Sequence, residues 1–369
     1  MQKESKTTWQ DNIFAAVPVA TKTASYDVVI GREFVCELGS ILSDTLSKNG
    51  GKPADKVFFV SDSNVWPHYG DAAVASFECD VDSFVFPAGE QSKNPVTLVD
   101  CLEKMAAAGC TRDSVVVTLG GGVACDLGGF AAATYMRGIH VLQVPTSLLA
   151  MVDASVGGKT AVDLKAGKNL FGAFHQPIGV IVDINTLATL SDDQFKDSVG
   201  EIVKHAILAD EDLFAYLEQN KLTKSMIDSD EFANIVKRNV EIKREVVNSD
   251  ETEAGVRQTL NLGHTIGHAI EAASNYELGH GTCVAAGVCV LVKALVKAGI
   301  TPADVAERIV AAYETQELPT TTDVDKQTLI SYIKNDKKRH SDSVNFVIVN
   351  NIGDCSVRNF TFAEIDALL

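Results

Sequence analysis

A change in sequence periodicity near residue 185 constrains the fold of this chain more than any other feature. Before it, short β-branched runs alternate with helical patterns. The sequence predicts strands at 57–62, 82–89, 114–122, 140–147 and 180–185, and helices at 93–109 and 125–136. Buried strands that alternate with helices form a parallel sheet of the nucleotide-binding type. Residues 1–185 are therefore predicted to be an α/β domain with a Rossmann-like, mostly parallel sheet.

Beyond residue 185 the strand pattern almost disappears. Helices are predicted at 191–220, 229–250, 257–274, 281–299, 302–316 and 325–336, and one short strand at 345–350. A chain of 369 residues is long enough for two domains. We therefore predict that residues 186–369 form a second, all-α domain.

Composition narrows the classes of partner and the compartment. The formal net charge of −17 disfavours nucleic acid and anionic membranes as partners. Uninterrupted apolar runs are far shorter than the roughly 18 residues that span a bilayer, and the first ten residues are polar, which predicts a cytoplasmic protein. The eight cysteines form no CxxC pair and are expected to be reduced.

The run RQTLNLGHTIGHAIE, residues 257–271, is apolar over most of its predicted helical surface. At about 100° per residue, Arg257, Asn261, His264 and His268 would share one stripe. A helix that is apolar on its other sides is buried, so a polar stripe on it must face a polar group inside the protein. A metal, an anion or a water-filled cleft would satisfy it.

The run LGGGVACDLGGFAAATY, residues 119–135, predicts a strand that ends in glycines and leads into a helix. Backbone N–H groups at such a helix start can bind phosphate. The run lacks the G-x-G-x-x-G dinucleotide pattern, so a tight turn without a ligand is an alternative. Asp126 could cap the helix instead of binding a ligand.

Residues 144–177 contain two lysines next to glycines and small residues, Lys159 in GGK and Lys168 in AGKN. Such lysines are suited to bind phosphate or carboxylate groups, although a solvated loop lysine is common. Thr146, Asp153 and Asn169 lie in the same stretch. Lys243, by contrast, lies in a mixed-charge helical pattern that is typical of a solvated face.

His264, His268 and His280 are close in sequence, and their spacing suggests a metal site. By spacing alone, His264 and His268 on one helix face are the first choice for a zinc pair. A histidine can also simply form a structural hydrogen bond. Glu201 lies in an apolar helical run and is a candidate further ligand, because a buried carboxylate needs a metal or a partner.

Taken together, these motifs resemble the 3-dehydroquinate synthase family of the sugar-phosphate cyclase superfamily. The densest parts of the resemblance are GGGVACDLGGFAAATYMRG, VDASVGGKT, GKNLFGAFHQP, GEIVKHA and NLGHTIGHAIE. The resemblance implies conversion of 3-deoxy-D-arabino-heptulosonate 7-phosphate to 3-dehydroquinate and phosphate. It implies NAD as a regenerated oxidant, zinc or cobalt as the metal, and a homodimer.

The resemblance also assigns residues to roles. It replaces the zinc pair suggested by spacing with the metal ligands Glu201, His264 and His280. It implies substrate phosphate contacts for Lys159, Asn169, Asn261, His268 and either Lys337 or Lys338, with Arg137 reaching the neighbouring subunit's substrate. Lys243 and Arg257 would bind the substrate carboxylate. The catalytic set would be Asp153, Lys204, Glu253 and His268. The implied NAD contacts are Asp62, Glu90, Lys93, Gly121, Gly122, Asp126, Thr146, Ser147, Leu149, Asp153 and Lys168.

Three positions depart from the common family pattern: Cys125 replaces glycine, Ser147 replaces threonine, and His205 stands where tyrosine or another residue is more usual. None of them is an implied metal ligand. Alternatives are another sugar-phosphate cyclase, a metal-dependent polyol or glycerol-phosphate dehydrogenase, and a binding protein without activity. Lys159, Lys168, Asn169 and His268 keep the dehydroquinate-type pattern.

Overall fold

The computed structural model describes residues 8–335, 339–340 and 342–369. The strands are β1 Ile13–Ala20, β2 Ser25–Gly31, β3 Lys56–Asp62, β4 Asp80–Phe86, β5 Val115–Gly120, β6 His140–Pro145, β7 Lys159–Leu164, β8 Gly167–Phe174, β9 Gly179–Asp183, β10 Arg339–His340, β11 Ser343–Asn351 and β12 Asp354–Thr361. The helices are α1 Leu38–Lys48, α2 Trp66–Ala75, α3 Pro95–Ala107, α4 Gly122–Thr134, α5 Asp192–Ala209, α6 Glu211–Gln219, α7 Asp230–Ser249, α8 His264–Ala273, α9 His280–Lys297, α10 Ala303–Thr315, α11 Lys326–Asn335 and α12 Phe362–Leu368.

The internal contacts divide the chain into two compact units. Unit 1 contains Met1–Leu190 and Ile227–Arg244, and unit 2 contains Ser191–Met226 and Glu245–Leu369. The segment Ile227–Arg244, most of α7, thus groups with the α/β part of the chain, although its periodicity resembles that of the helices around it. The functional boundary at residue 185 stays a prediction.

Unit 1 is built on a seven-stranded sheet in the order β1-β2-β9-β6-β5-β3-β4. Every neighbouring pair from β2 to β4 is parallel, and only the pair of β1 and β2 is antiparallel. This confirms the predicted fold class. The hairpin of β1 and β2 was not predicted from the periodicity.

Apolar layers cover both faces of the sheet. Along β3, Val57 and Phe59 pack on the side of α1, whereas Phe58 and Val60 pack on the side of α3 and α4. All four side chains are fully buried. Strands buried on both faces read as continuous apolar runs, which is why this half of the sequence predicts a parallel sheet.

A separate antiparallel hairpin, β7 with β8, extends from unit 1 and packs against α4. It contains Lys159 and Lys168, so both lysines belong to strands and not to the loop that the glycines suggest. Asn169 has a φ of 54°, in the left-handed region. Two predicted phosphate contacts, Lys159 and Asn169, therefore lie on the two strands of one hairpin.

Unit 2 is mainly helical, as predicted, with α5, α8 and α9 at its centre. The helical part also carries a small antiparallel sheet in the order β10-β11-β12, of which only the middle strand was predicted. By length and hydropathy alone α9 could cross a membrane, but 67% of it is buried by protein. Its apolar surface is therefore that of a core helix.

The predicted continuous helix 257–274 is wrong. A 3-10 helix covers Val256–Asn261, and α8 begins only at His264. Gly263 separates them with a φ of 75°, and a Cβ there would collide with Val288. The chain turns at this glycine because a left-handed residue cannot continue an α-helix. Arg257 and Asn261 therefore lie on a different element from His264 and His268.

Candidate active site

The carboxyl ends of the parallel strands bring most predicted NAD contacts to one edge of the unit 1 sheet. Asp62 ends β3, Gly121 and Gly122 follow β5, and Thr146 follows β6. The Thr146 N–H donates to the Gly120 carbonyl at 2.9 Å, which fixes the two loops side by side. Ligands of open α/β sheets bind at this edge.

Five charged residues form what we call the Lys93 cluster: Glu90, Lys93, Asp126, Asp163 and Lys168. The Lys93 Nζ atom lies 2.9 Å from the Glu90 carboxylate, 3.2 Å from Asp126 and 3.9 Å from Asp163. Lys168 Nζ lies 3.4 Å from Glu90. Lys93 is only 4% exposed. A buried ammonium group needs opposite charge nearby, and the three carboxylates supply it.

Asp126 takes part in the Lys93 cluster and is not the N-cap of α4. The N-cap of α4 is Gly121, so Asp126 lies inside the helix and does not cap it. Burial raises the pKa of the Asp126 carboxyl to about 6, although the neighbouring Lys93 favours ionisation. The structure thus places Asp126 in an ion-pair network beside the glycine turn.

Asp153 and Lys243 form a second ion pair in unit 1. Asp153 lies in a π-helical turn that follows Leu149, and the Lys243 Nζ atom lies 2.6 Å from its carboxylate. Lys243 also donates to the Asp153 carbonyl and is 6% exposed. The charge pattern of α7 predicts that Lys243 lies on a solvated face. This prediction is wrong, because Lys243 is buried in an ion pair.

In unit 2, the loop before α8 is held by Asp250. Its carboxylate accepts the N–H groups of Ala254, Gly255 and Arg257 at 2.7 to 3.0 Å. Arg257 is 1% exposed, and its guanidinium donates to the Glu251 carbonyl. Asp250 was missed by the sequence reasoning, since its only sequence signal is a carboxylate shortly before glycine.

Two predicted site residues of this loop contact each other. Glu253 has a φ of 61° and accepts a hydrogen bond of 2.7 Å from the Asn261 side-chain amide. The structure therefore brings the predicted catalytic carboxylate together with a predicted phosphate contact.

The three implied metal ligands converge within unit 2. The Nε2 atoms of His264 and His280 lie 3.5 and 3.4 Å from the same carboxylate oxygen of Glu201. Donors about 2.1 Å from a tetrahedral zinc ion are about 3.4 Å apart, so the spacing fits such an ion. Glu201 is fully buried and also pairs with Lys204, which is 1% exposed.

Close helix packing places these ligands. A Cβ on Gly200 would collide with the backbone of Gly281, so only glycine lets α5 approach the start of α9 this closely. The Asp197 carboxylate caps that start by accepting the N–H groups of Gly281 and Thr282 at 3.2 and 2.7 Å. His280, the first residue of α9, is thereby held next to Glu201, which lies one turn of α5 after Asp197.

Both histidines of the implied ligand set have an oxygen partner at their second ring nitrogen. The Nδ1 atom of His264 lies 3.2 Å from the Leu262 carbonyl, and that of His280 lies 3.6 Å from the Glu271 carboxylate. Such partners orient the imidazole and leave Nε2 as the donor to a metal. Glu271 was not predicted as a site residue, and its spacing from His268 gives little signal.

The electrostatics of this group favour a cation. We call the group the Glu201 cluster, and its members are Glu201, Lys204, His264, Glu271 and His280. Burial lowers the affinity of the His280 ring for a proton. The carboxylates of Glu201 and Glu271 outweigh that effect and raise the His280 pKa to about 10. The two carboxylates thus favour positive charge at the position of the His280 ring.

The remaining predicted residues have these positions. The His268 ring lies 5.4 Å from the His264 ring and 5.8 Å from the His280 ring, so it borders the Glu201 cluster. Arg137 is exposed with a φ of 72°. The Ser147 hydroxyl accepts the Ala150 N–H at 3.3 Å. Lys337 and Lys338 lie outside the described residues.

Comparisons with known proteins identify the family of this chain. The family model described as 3-dehydroquinate synthase N-terminal matches residues 83–197, and the one described as 3-dehydroquinate synthase C-terminal matches residues 198–339. The chain belongs to the 3-dehydroquinate synthase family. A 3-dehydroquinate synthase of Thermoanaerobacter sp. (strain X514) is 41% identical over 95% of this chain and 98% of its own length. One of Caulobacter vibrioides is 41% identical over 92% of this chain and 94% of its own.

Solved structures give the same fold. A 2-epi-5-epi-valiolone synthase from Streptomyces hygroscopicus, solved with NAD+ and Zn2+ bound, has a TM-score of 0.81 at 25% identity over 95% of this chain and 97% of its own. A 2-deoxy-scyllo-inosose synthase, solved with carbaglucose-6-phosphate, NAD+ and Co2+, has a TM-score of 0.82 at 23% identity over 96% of this chain and 99% of its own. At that identity the second likeness concerns the fold alone.

Proposed function

We propose that this chain is a 3-dehydroquinate synthase, a phosphate-eliminating carbon–oxygen lyase. It converts 3-deoxy-D-arabino-heptulosonate 7-phosphate to 3-dehydroquinate and phosphate, in the shikimate pathway that leads to aromatic amino acids. The observation that carries the proposal is the convergence of Glu201, His264 and His280 in a chain of this family.

The proposed metal is zinc or cobalt, held by the two imidazoles and one carboxylate of the Glu201 cluster. Three protein ligands leave a position open for substrate oxygens. A metal held there would acidify substrate hydroxyls, and bound NAD would supply the hydride chemistry. Lys204, beside Glu201, and Glu253, hydrogen-bonded to Asn261, are proposed to move protons of the substrate.

The NAD contacts are proposed to lie at the carboxyl edge of the unit 1 sheet. The glycine turn before α4 offers backbone N–H groups to the pyrophosphate. Asp62, Thr146, Ser147, Leu149 and Asp153 supply the remaining contacts, together with Glu90, Lys93, Asp126 and Lys168 of the Lys93 cluster. These assignments rest on the family pattern and on the placement of the residues at one edge.

Substrate binding is proposed to use two sets of cations and amides. Lys243, held by Asp153, and Arg257 receive the carboxylate. The phosphate contacts are Lys159, Asn169, Asn261, His268 and a lysine at 337 or 338. Fixing both anionic ends sets the geometry for ring closure.

The chain is proposed to act in the cytoplasm. Residues 1–185 are proposed to bind NAD, and residues 186–369 to bind the metal and to supply most of the substrate contacts. Phosphate release in the presence of trace NAD tests the activity. We expect many phosphates per NAD. One NADH per substrate, with no phosphate, would instead identify a dehydrogenase, and activity only on other sugar phosphates a different cyclase.

A homodimer is proposed because apolar side chains are exposed around Arg137. Leu170, Phe171 and Phe174 of β8 are 40%, 45% and 47% exposed, and Met136 is 45% exposed. The His175 ring, next to Phe174, contacts the Ile139 carbonyl at 2.8 Å, so this strand end lies beside Arg137. Exposed apolar patches of this kind mark protein interfaces.

Subunit mixing tests whether Arg137 serves the neighbouring subunit. Arg137→Ala and His264→Ala are each expected to be inactive. Mixed dimers contain one site with both residues intact, so random mixing should restore about a quarter of wild-type activity. No recovery in verified mixed dimers would contradict a role across the interface.

A further inference from the structure

The hairpin of β7 and β8 is tied to the segment 90–93 at several points. Lys168 on β8 pairs with Glu90 at 3.4 Å, and Asp163 on β7 lies 3.9 Å from the Lys93 Nζ atom. The Asp163 N–H also donates to the Lys93 carbonyl at 2.8 Å. Hairpin and segment are thus connected through both backbone and side chains.

Asp163 makes a second contact with the hairpin itself. Its carboxylate accepts the backbone N–H of Asn169 at 2.7 Å. Asp163 belongs to neither the proposed cofactor contacts nor the proposed phosphate contacts. It nevertheless touches one member of each set, Lys93 and Asn169.

The Asn169 backbone needs such a partner. Its φ of 54° lies in the left-handed region, which non-glycine residues seldom adopt and which asparagine tolerates best. The hydrogen bond from its N–H to Asp163 stabilises that conformation. The direction of the Asn169 side chain therefore depends on the position of the Asp163 carboxylate.

We propose that Asp163 is a positioning residue that links the phosphate subsite to the NAD subsite. It holds Asn169 for the phosphate end of the substrate through the hydrogen bond and holds Lys93 through its charge. Phosphate binding at Asn169 orders Asp163 and with it the Lys93 cluster. The inference rests on the proposed function, because it takes Lys93 as an NAD contact and Asn169 as a phosphate contact.

The test is the dissociation constant of NAD, measured by calorimetry with and without saturating inorganic phosphate, together with the inhibition constant of phosphate. In the wild type, phosphate should tighten NAD binding by at least about 5-fold. Asp163→Ala removes the hydrogen bond and the charge, so the inhibition constant should rise about 10-fold and the coupling should fall below 2-fold.

Asp163→Asn separates the two contacts. Its amide oxygen still accepts the Asn169 N–H, so phosphate inhibition should stay within about 2-fold of wild type, whereas the coupling should be lost with the charge. This variant keeps the test valid if the alanine variant does not fold. Lys165→Ala, on the exposed turn of the same hairpin, is the matched control and should keep the wild-type coupling.

Wild-type coupling in a folded Asp163 variant would overturn the inference, as would wild-type protein that binds NAD and phosphate independently. If either result is found while the wild-type protein turns over substrate, the proposed function still stands and only this inference fails. A wild-type protein that binds neither NAD nor phosphate would overturn the proposed function and this inference together.

Discussion

The Lys93 cluster and the Glu201 cluster are both buried groups of charge, but they differ in chemistry. The Lys93 cluster balances two ammonium groups against three carboxylates, and the Lys93 pKa is raised because these carboxylates outweigh the effect of burial. The Glu201 cluster adds two imidazoles whose nitrogens are spaced for a tetrahedral ion. Buried charge alone therefore does not identify a metal site, whereas donor type and spacing do.

The largest expected effect concerns a proposed metal ligand. His264→Ala should lower phosphate-release activity by at least about 1000-fold, because it removes one of the three proposed protein ligands. His68→Ala, an exposed histidine on α2, is the control and should keep full activity. Full activity in the His264 variant would mean that the Glu201 cluster, like the Lys93 cluster, holds no catalytic metal.

The matching change in the other cluster is Lys93→Met. Removing the cation leaves buried carboxylates unpaired, and this should destabilise the protein by about 3 kcal/mol and weaken NAD binding while metal content stays unchanged. Lys56→Met breaks a more exposed pair with Asp82 in the same unit and should change the melting temperature little. Loss of metal in Lys93→Met would contradict the claim that only the Glu201 cluster of the two binds metal.

Glu271→Gln sharpens the comparison within the Glu201 cluster. An amide orients His280 less strongly than a carboxylate, so metal affinity should fall about 10- to 100-fold in chelator competition. Glu277→Gln, at an exposed position nearby in sequence, is the control. Equal affinities in both variants would mean that Glu271 does not support the ligand.

The smallest expected effect is the pH dependence of Asp126. Burial raises the pKa of its carboxyl from 3.8 to about 6 in the folded protein, so the folded state holds a proton that the unfolded state has released. This stabilisation is complete below pH 3.8 and is lost as pH rises through 6.

Asp126→Asn lacks that titration. Between pH 4 and 7, the wild-type melting temperature should therefore fall by a few degrees relative to the variant. A constant difference over this range would show that the carboxyl is ionised throughout in the folded protein.

Local patterns predicted the sheet and most helices, because strands buried on both faces and amphipathic helices repeat over many residues. They failed at Gly263, where the tight packing against Val288 selects a left-handed glycine that the helical pattern hides. The hairpin of β7 and β8 was missed for a similar reason, since its glycines read as a loop.

The site shows the same limit. The histidine spacing pointed to His264 with His268, whereas the structure pairs His264 with His280 and Glu201, which are distant along the chain. The Lys93 cluster joins residues from 90 to 168, so no local pattern contains it. The family resemblance supplied these residues, and Asp163, Asp250 and Glu271 emerged only from the structure.

A cobalt titration of the metal-free protein tests the central claim most directly. We expect one Co2+ per chain, with the intense visible absorption of a four- or five-coordinate ion bound by nitrogen and oxygen, and no such band in His264→Ala. An unchanged spectrum and stoichiometry in His264→Ala, or no bound cobalt in the wild type, would contradict the account.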